Sequence, residues 1–195
     1  MNTPNKLTLL RIILAPFFMF FFLIDSFHMR LIALGLFVIA ALTDLADGYY
    51  ARKYGIVTGF GKFMDPLADK ILVSSALITF IAMDFVSPWP VLLIIGREFA
   101  ITGLRLLAAY RGVVIPPTWG AKIKTFFQMT VVGLAMAYIS IETALAYYES
   151  GSLAGTGIDF LFWFDALMWA TAAITVWTGI DYTIKYAYMI KTALK

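Results

Sequence analysis

The chain has 195 residues, 62% of them hydrophobic and only 14% charged, and a mean hydropathy of +0.85; soluble domains are about half apolar and about a quarter charged, so this composition excludes an ordinary soluble protein. Cysteine is absent and histidine occurs once, at His28, which excludes disulfides, thiol nucleophiles and a multi-histidine zinc centre. The net charge of +3 is small, and its placement carries more than its total.

Six hydrophobic stretches succeed one another at 9–25, 31–51, 65–84, 89–110, 125–146 and 160–184. Each approaches the roughly 20 residues that a spanning helix needs, and helix is the expected state because unpaired backbone cannot sit in lipid. The predicted fold is therefore all-α, a polytopic membrane protein with six transmembrane helices in one domain, 1–195. The first stretch has the outline of a signal peptide, with Lys6 and Arg11 before Ile12 to Ile24. The next residues, Asp25-Ser26-Phe27-His28, offer no small-residue cleavage site, so the helix is expected to be retained. Six spans put both termini on one side. That side and its loops hold Lys6, Arg11, Arg52, Lys53, Lys62, Arg111, Lys122, Lys124, Lys185, Lys191 and Lys195, whereas the opposite loops hold Arg30 among acids. The positive-inside rule then assigns both termini to the cytoplasm. Residues 147–158 read as an external loop, His28 as an exposed loop residue, the run Phe17 to Phe22 as lipid-facing bulk, and Trp89 and Trp119 as interface anchors.

Ionisable residues within spans are costly and by default mark function. Four aspartates stand at the cytoplasmic ends of the second and third stretches: Asp44, Asp47, Asp65 and Asp69. At about 100° per residue, Asp44, Asp47, Gly48 and Ala51 share one helix stripe, and Gly61, Asp65 and Asp69, spaced by four, share another. The short connection from Lys53 to Phe60 predicts two antiparallel neighbours whose carboxylates face each other. Four such carboxylates repel unless some are protonated or cations neutralise them. Oxygen donors without His or Cys suit hard dications, Mg²⁺ or Mn²⁺, and two of these would balance four negative charges. Gly48, Ala51 and Gly61 leave space beside the carboxylates for a phosphate or base, and Arg52 adds a positive charge at the edge. The plain alternative is a set of solvated helix caps.

Together these residues read Asp44-x-x-Asp47-Gly48-x-x-Ala51-Arg52, eight residues, then Gly61-x-x-x-Asp65-x-x-x-Asp69. This resembles the signature of the CDP-alcohol phosphotransferase family. Outside it, Pro4-Asn5-x-x-Thr8-x-x-Arg11, Gly96-Arg97-Glu98 with Thr102-Gly103-Leu104-Arg105, and Lys122-Ile123-Lys124-Thr125-x-x-Gln128-Met129 are similar to the bacterial phosphatidylglycerophosphate synthase branch, with Ala121 where that branch usually carries Gly. The resemblance implies a six-helix enzyme of the bacterial inner membrane, usually a homodimer, with a cytoplasmic active site and no nucleic-acid partner. It implies transfer of the phosphatidyl group from CDP-diacylglycerol to sn-glycerol 3-phosphate, with release of CMP. By the same resemblance Asp44, Asp47, Asp65 and Asp69 hold two divalent cations, Mg²⁺ or Mn²⁺. Asp69 is the catalytic base, and Asp47, Gly48, Ala51, Arg52 and Gly61 contact the CDP moiety.

The residues themselves agree with that chemistry. Displacement at a diphosphate needs charge neutralisation and in-line placement, and a glycerol hydroxyl needs a carboxylate to take its proton. Arg97, Glu98 and Arg105 lie within the fourth stretch, where Arg forks suit a phosphate, so Arg97, Arg105 and Lys122 are expected to hold the acceptor phosphate; an internal ion pair of Glu98 with Arg105 is the alternative. Lys122 and Lys124 point about 200° apart on a helix, so Lys124 is expected to meet lipid headgroups. Asp165 and Asp181 read as structural or solvated. Two rivals differ in acceptor or in class: the same chemistry with serine or an inositol phosphate, and a divalent-cation carrier. A carrier would need carboxylates near the midplane with polar routes to both faces, whereas these cluster at one end.

Overall fold

The computed structural model describes residues 3–54, 59–113, 116, 119–149, 151–153 and 157–188; side chains at 3–4, 44–54, 59–60 and 62 lie outside the described set. Six helices form in chain order: α1 (Thr3–Leu23), α2 (Phe27–Tyr54), α3 (Gly59–Ala82), α4 (Pro88–Tyr110), α5 (Trp119–Tyr147) and α6 (Phe160–Lys185). No strand occurs among the described residues, so the all-α expectation holds.

The ends of the helices reflect local chemistry. At the start of α4, Pro88 occupies a first-turn position that needs no N–H, and the N–H of Ser87 is taken by Asp165 Oδ1 at 2.7 Å. At its end, Gly112 adopts φ +77° while its N–H reaches Ala109 O and Val113 N–H reaches Ala108 O. That pair of bonds closes the orphan carbonyls, and glycine tolerates the left-handed conformation it requires. Asp159 caps α6 by accepting from Phe162 N–H at 3.0 Å.

Two compact units arise. The first comprises residues 1–83 and 136–158, the second 84–135 and 159–195, so α5 gives its N-terminal half to the second unit and its C-terminal half to the first. In the first unit α1 packs along both α2 and α3. The end of α2 that carries Asp44 and Asp47, where the sequence predicts direct pairing with α3, has its side chains outside the described residues. Small buried residues, Ala15 on α1 and Ala40 on α2, let the backbones approach around Leu72 of α3, with Leu14, Phe37 and Ile71 packed alongside. Phe18 and Phe22 are fully buried, whereas Phe17 and Phe20 are more than half exposed. Only half of that aromatic run faces outward, because four-residue spacing returns Phe22 to the face of Phe18. Arg30 is buried, paired with Asp25 at 3.0 Å and reaching Ile139 O. His28 lies in the first turn of α2, not in a loop, with its ring edge-on to Tyr147.

The second unit packs α4 against α6, with Ala108 of α4 against Tyr182 of α6 and Phe85 against Phe164 at 5.0 Å. Both units carry large apolar side chains on their outer faces, among them Ile13, Leu31, Val38, Leu92, Phe126 and Trp177. A monomer in water does not carry so much exposed apolar surface, and lipid is its natural solvent. Among the described residues α1 (from Asn5), α5 and α6 are long and apolar enough to cross a membrane, and Phe27–Thr43 of α2 is a shorter apolar stretch. Trp89 and Trp119 are exposed at the starts of α4 and α5.

Candidate active site

The acidic residues belong to the first unit. Asp65 and Asp69 sit one turn apart on α3, hence on one face. Asp65 accepts a hydrogen bond of 2.5 Å from the hydroxyl of Thr8, which is fully buried on α1. Asp69 is nearly half exposed, with its carboxylate 3.5 Å from Lys70 Nζ. One carboxylate is thus oriented by a buried donor and the other open to solutes. Gly61 is buried on the same helix. Asp44, Asp47, Gly48, Ala51 and Arg52 lie on the C-terminal part of α2, and their side chains fall outside the described residues.

Among the described residues no three acidic, imidazole or thiol groups converge; the predicted four-aspartate set is half outside that range. The described half fits a hard dication: carboxylate oxygens on one helix face, one of them fixed in orientation by Thr8 and one accessible. A hydrogen-bonded outer partner of this kind is what metal-binding carboxylates commonly have.

The basic residues belong to the second unit and are arranged differently. Glu98 is 5% exposed and Lys124 2% exposed, and the Lys124 ammonium is ion-paired with Glu98. Arg97 Nη1 donates to the same Glu98 oxygen at 3.2 Å, and Arg97 Nη2 donates to the hydroxyl of Thr178 at 3.2 Å. The Thr178 hydroxyl gives its own proton back to its helix, with carbonyl oxygens of Ile174 and Thr175 at 2.8 and 3.0 Å. Gly179 makes room for this crossing: a Cβ there would lie 3.0 Å from Arg97 Nε and 3.1 Å from its Cγ. Glycine inside a helix is costly, and here it lets the α4 guanidinium lie against α6.

Two expectations for this region change. Lys124 does not meet lipid headgroups but is buried against Glu98. Glu98 holds Arg97 and Lys124, whereas Arg105 is exposed, so the ion pair is not the anticipated Glu98–Arg105 one. The reason lies in burial: a carboxylate deep in an apolar helix pair must find cations equally deep, and a lysine stem is long enough to supply one from α5. Lys122 is exposed, its ammonium 4.8 Å over the Trp119 ring. Asp165 is structural, through Ser87, and Asp181 is exposed. Between α4 and α6 runs a groove of about 570 Å³ lined by Leu93, Ile101, Gly179, Ile180 and Ile184, with Arg97 as its charged wall.

Thr178, Gly179 and Tyr182 escaped the sequence reading. Their signal was present: Thr171, Thr175, Thr178 and Tyr182, spaced four, three and four, form a buried polar line on an otherwise apolar α6.

Comparison with known proteins adds three relatives sharing one name, CDP-diacylglycerol–glycerol-3-phosphate 3-phosphatidyltransferase. The protein from Bacillus subtilis is 40% identical over 98% of both chains, that from Rickettsia felis 40% identical over 93% of both, and that from Cereibacter sphaeroides 33% identical over 93% of both. The family model for CDP-alcohol phosphatidyltransferase matches residues 1–177. With a paired-aspartate motif spanning two helices, an apolar all-helical fold and this match over most of its length, the chain belongs to the CDP-alcohol phosphatidyltransferase family.

Proposed function

We propose that the chain, as one domain over residues 1–195, transfers the phosphatidyl group of CDP-diacylglycerol to sn-glycerol 3-phosphate, giving phosphatidylglycerophosphate and CMP. The observation that carries this reading is the shared name of relatives aligned over nearly their whole length at 33–40% identity. In this reading all six helices span a bacterial inner membrane, with termini and active site cytoplasmic, and the working form is a homodimer. Acyl chains then stay in lipid while nucleotide and acceptor enter from the cytosol.

Asp44, Asp47, Asp65 and Asp69 would hold two divalent cations, Mg²⁺ or Mn²⁺, whose chemistry is to neutralise charge on the diphosphate. Thr8 keeps the Asp65 carboxylate in one orientation through its 2.5 Å bond. Asp47, Gly48, Ala51, Arg52 and Gly61 receive the CDP moiety, the small residues allowing close approach to the backbone. Asp69, accessible on α3, takes the proton from the acceptor hydroxyl. The freed oxygen forms a bond to the phosphatidyl phosphorus, the bond from that phosphorus to the bridging oxygen breaks, and CMP leaves with the electron pair. Arg97, Arg105 and Lys122 capture the acceptor phosphate. Their share of the work is binding and orientation, because that phosphate is remote from the reacting hydroxyl.

The test is purified protein with CDP-diacylglycerol and Mg²⁺, offered glycerol 3-phosphate, serine or an inositol phosphate in turn, with CMP release as the readout. Release with glycerol 3-phosphate alone is the expected result. Release only with another acceptor overturns the acceptor assignment, and cation flux into liposomes without CMP release overturns the enzyme reading.

A further inference from the structure

The buried polar line on α6 ends in a group with no local outlet. Thr171 and Thr178 satisfy their hydroxyls on carbonyls one turn back. A tyrosine hydroxyl stands too far from its own backbone to do the same. Tyr182 is 2% exposed, its ring packed with Ala108 of α4 and flanked by Ile101, Val113 and Tyr186. Its hydroxyl is buried and finds no hydrogen-bond partner among the described residues. Burying a hydroxyl unpaired is unfavourable, and such a group in a native structure asks for a cause.

Its surroundings define what would satisfy it. Arg97 lies against Gly179, one turn before Tyr182 on α6, and Arg105 stands one turn before Ala108, the α4 residue on which Tyr182 packs. Arg97 Nε is likewise buried without a partner among the described residues, its Nη atoms being committed to Glu98 and Thr178. An O–H and a guanidinium N–H without acceptors among the described residues match an anion rich in acceptor oxygens.

We infer that Tyr182 is a binding residue of the acceptor site, its phenol donating a hydrogen bond to a phosphate monoester held with Arg97 and Arg105. The inference rests on the proposed assignment of these arginines to the acceptor phosphate. The same phosphate chemistry occurs on the lipid donor, so the test separates the two sources.

Tyr182→Phe removes the hydroxyl and keeps the ring. Full-length wild type and variant are compared by KM for each substrate and by the rise in Tm that glycerol 3-phosphate induces without CDP-diacylglycerol. The expected result is a KM for glycerol 3-phosphate raised about tenfold or more, as for a lost hydrogen bond to a charged group. KM for CDP-diacylglycerol stays within about twofold of wild type, the ligand-induced rise in Tm shrinks, and the Tm of the free variant equals or exceeds that of wild type, since an unpaired buried hydroxyl has been removed. A variant equal to a responsive wild type overturns the inference and leaves the acceptor reading standing. So does a KM effect confined to CDP-diacylglycerol, or a lower Tm for the free variant. A wild type that neither uses nor responds to glycerol 3-phosphate overturns the acceptor reading and the inference with it.

Discussion

The two polar regions of this protein solve the problem of charge in an apolar fold in opposite ways. On α3 the acidic pair stays near solvent: Asp69 is nearly half exposed, and Asp65 accepts from a buried hydroxyl on α1. In the second unit the charges go inside. Glu98 and Lys124 are almost fully buried, and Arg97 is divided between Glu98 and Thr178, so α4, α5 and α6 all contribute. Accessible carboxylates on one helix face suit groups that arrive from water. A buried, cross-linked cluster suits fixed positioning, because its members cannot move independently without stranding a charge. The difference teaches that polar residues equally improbable by composition are sorted by burial into an accessible set and a cross-linked one.

The sharpest way to break this comparison is to remove charge on the acidic side. Asp65→Asn, and likewise Asp44→Asn or Asp47→Asn, keeps shape and loses charge. Each is expected to lower turnover roughly 10³-fold or more, the scale on which preorganised electrostatic groups act. Membrane accumulation should match wild type, since less charge there carries no folding penalty. Chelation with EDTA should silence the wild type, and added Mg²⁺ or Mn²⁺ should restore it. Near-normal CMP release from any of the three variants removes that residue from the metal set.

On the buried side the expected loss is in folding. Lys124→Met strands part of the charge on Glu98, and breaking a buried pair costs about 3–5 kcal/mol. Extracted yield and Tm should fall accordingly, and the double variant Lys124→Met with Glu98→Gln should recover much of the loss, a coupling read by a double-mutant cycle. Equal Tm for the single variant and wild type would show that the ion pair does not support the unit.

Thr8→Val probes the hydroxyl that orients Asp65. The isostere keeps volume and removes the bond to Asp65, so a loss of roughly 10- to 100-fold in Mg²⁺ affinity or turnover is expected, as for other groups that orient a metal ligand. Measured Mg²⁺ dependence of the rate checks it. The smallest effect is expected at Lys122, exposed over Trp119. Lys122→Ala should raise KM for glycerol 3-phosphate by no more than about fivefold, in line with exposed charges. A larger change would move Lys122 into the class of Arg97.

The sequence by itself determined the helix count, the segments and the acidic pattern on α3, because these depend on local hydrophobicity and on spacing along one helix. The family likeness was legible for the same reason: its signature is a linear spacing of aspartates and small residues. Partnership across helices was decided only by the tertiary structure. Nothing linear in the chain says that Glu98 takes Lys124 rather than Arg105, that α1 stands as the shared partner of α2 and α3, or that Gly179 lets Arg97 lie against α6. Lys122 and Lys124 are two residues apart and alike in chemistry, yet one lies on an indole and the other is buried on a carboxylate. Helical rotation separates them by about 200°, but which of the two directions points inward is set by the packing of α4, α5 and α6 around a carboxylate that had to be neutralised.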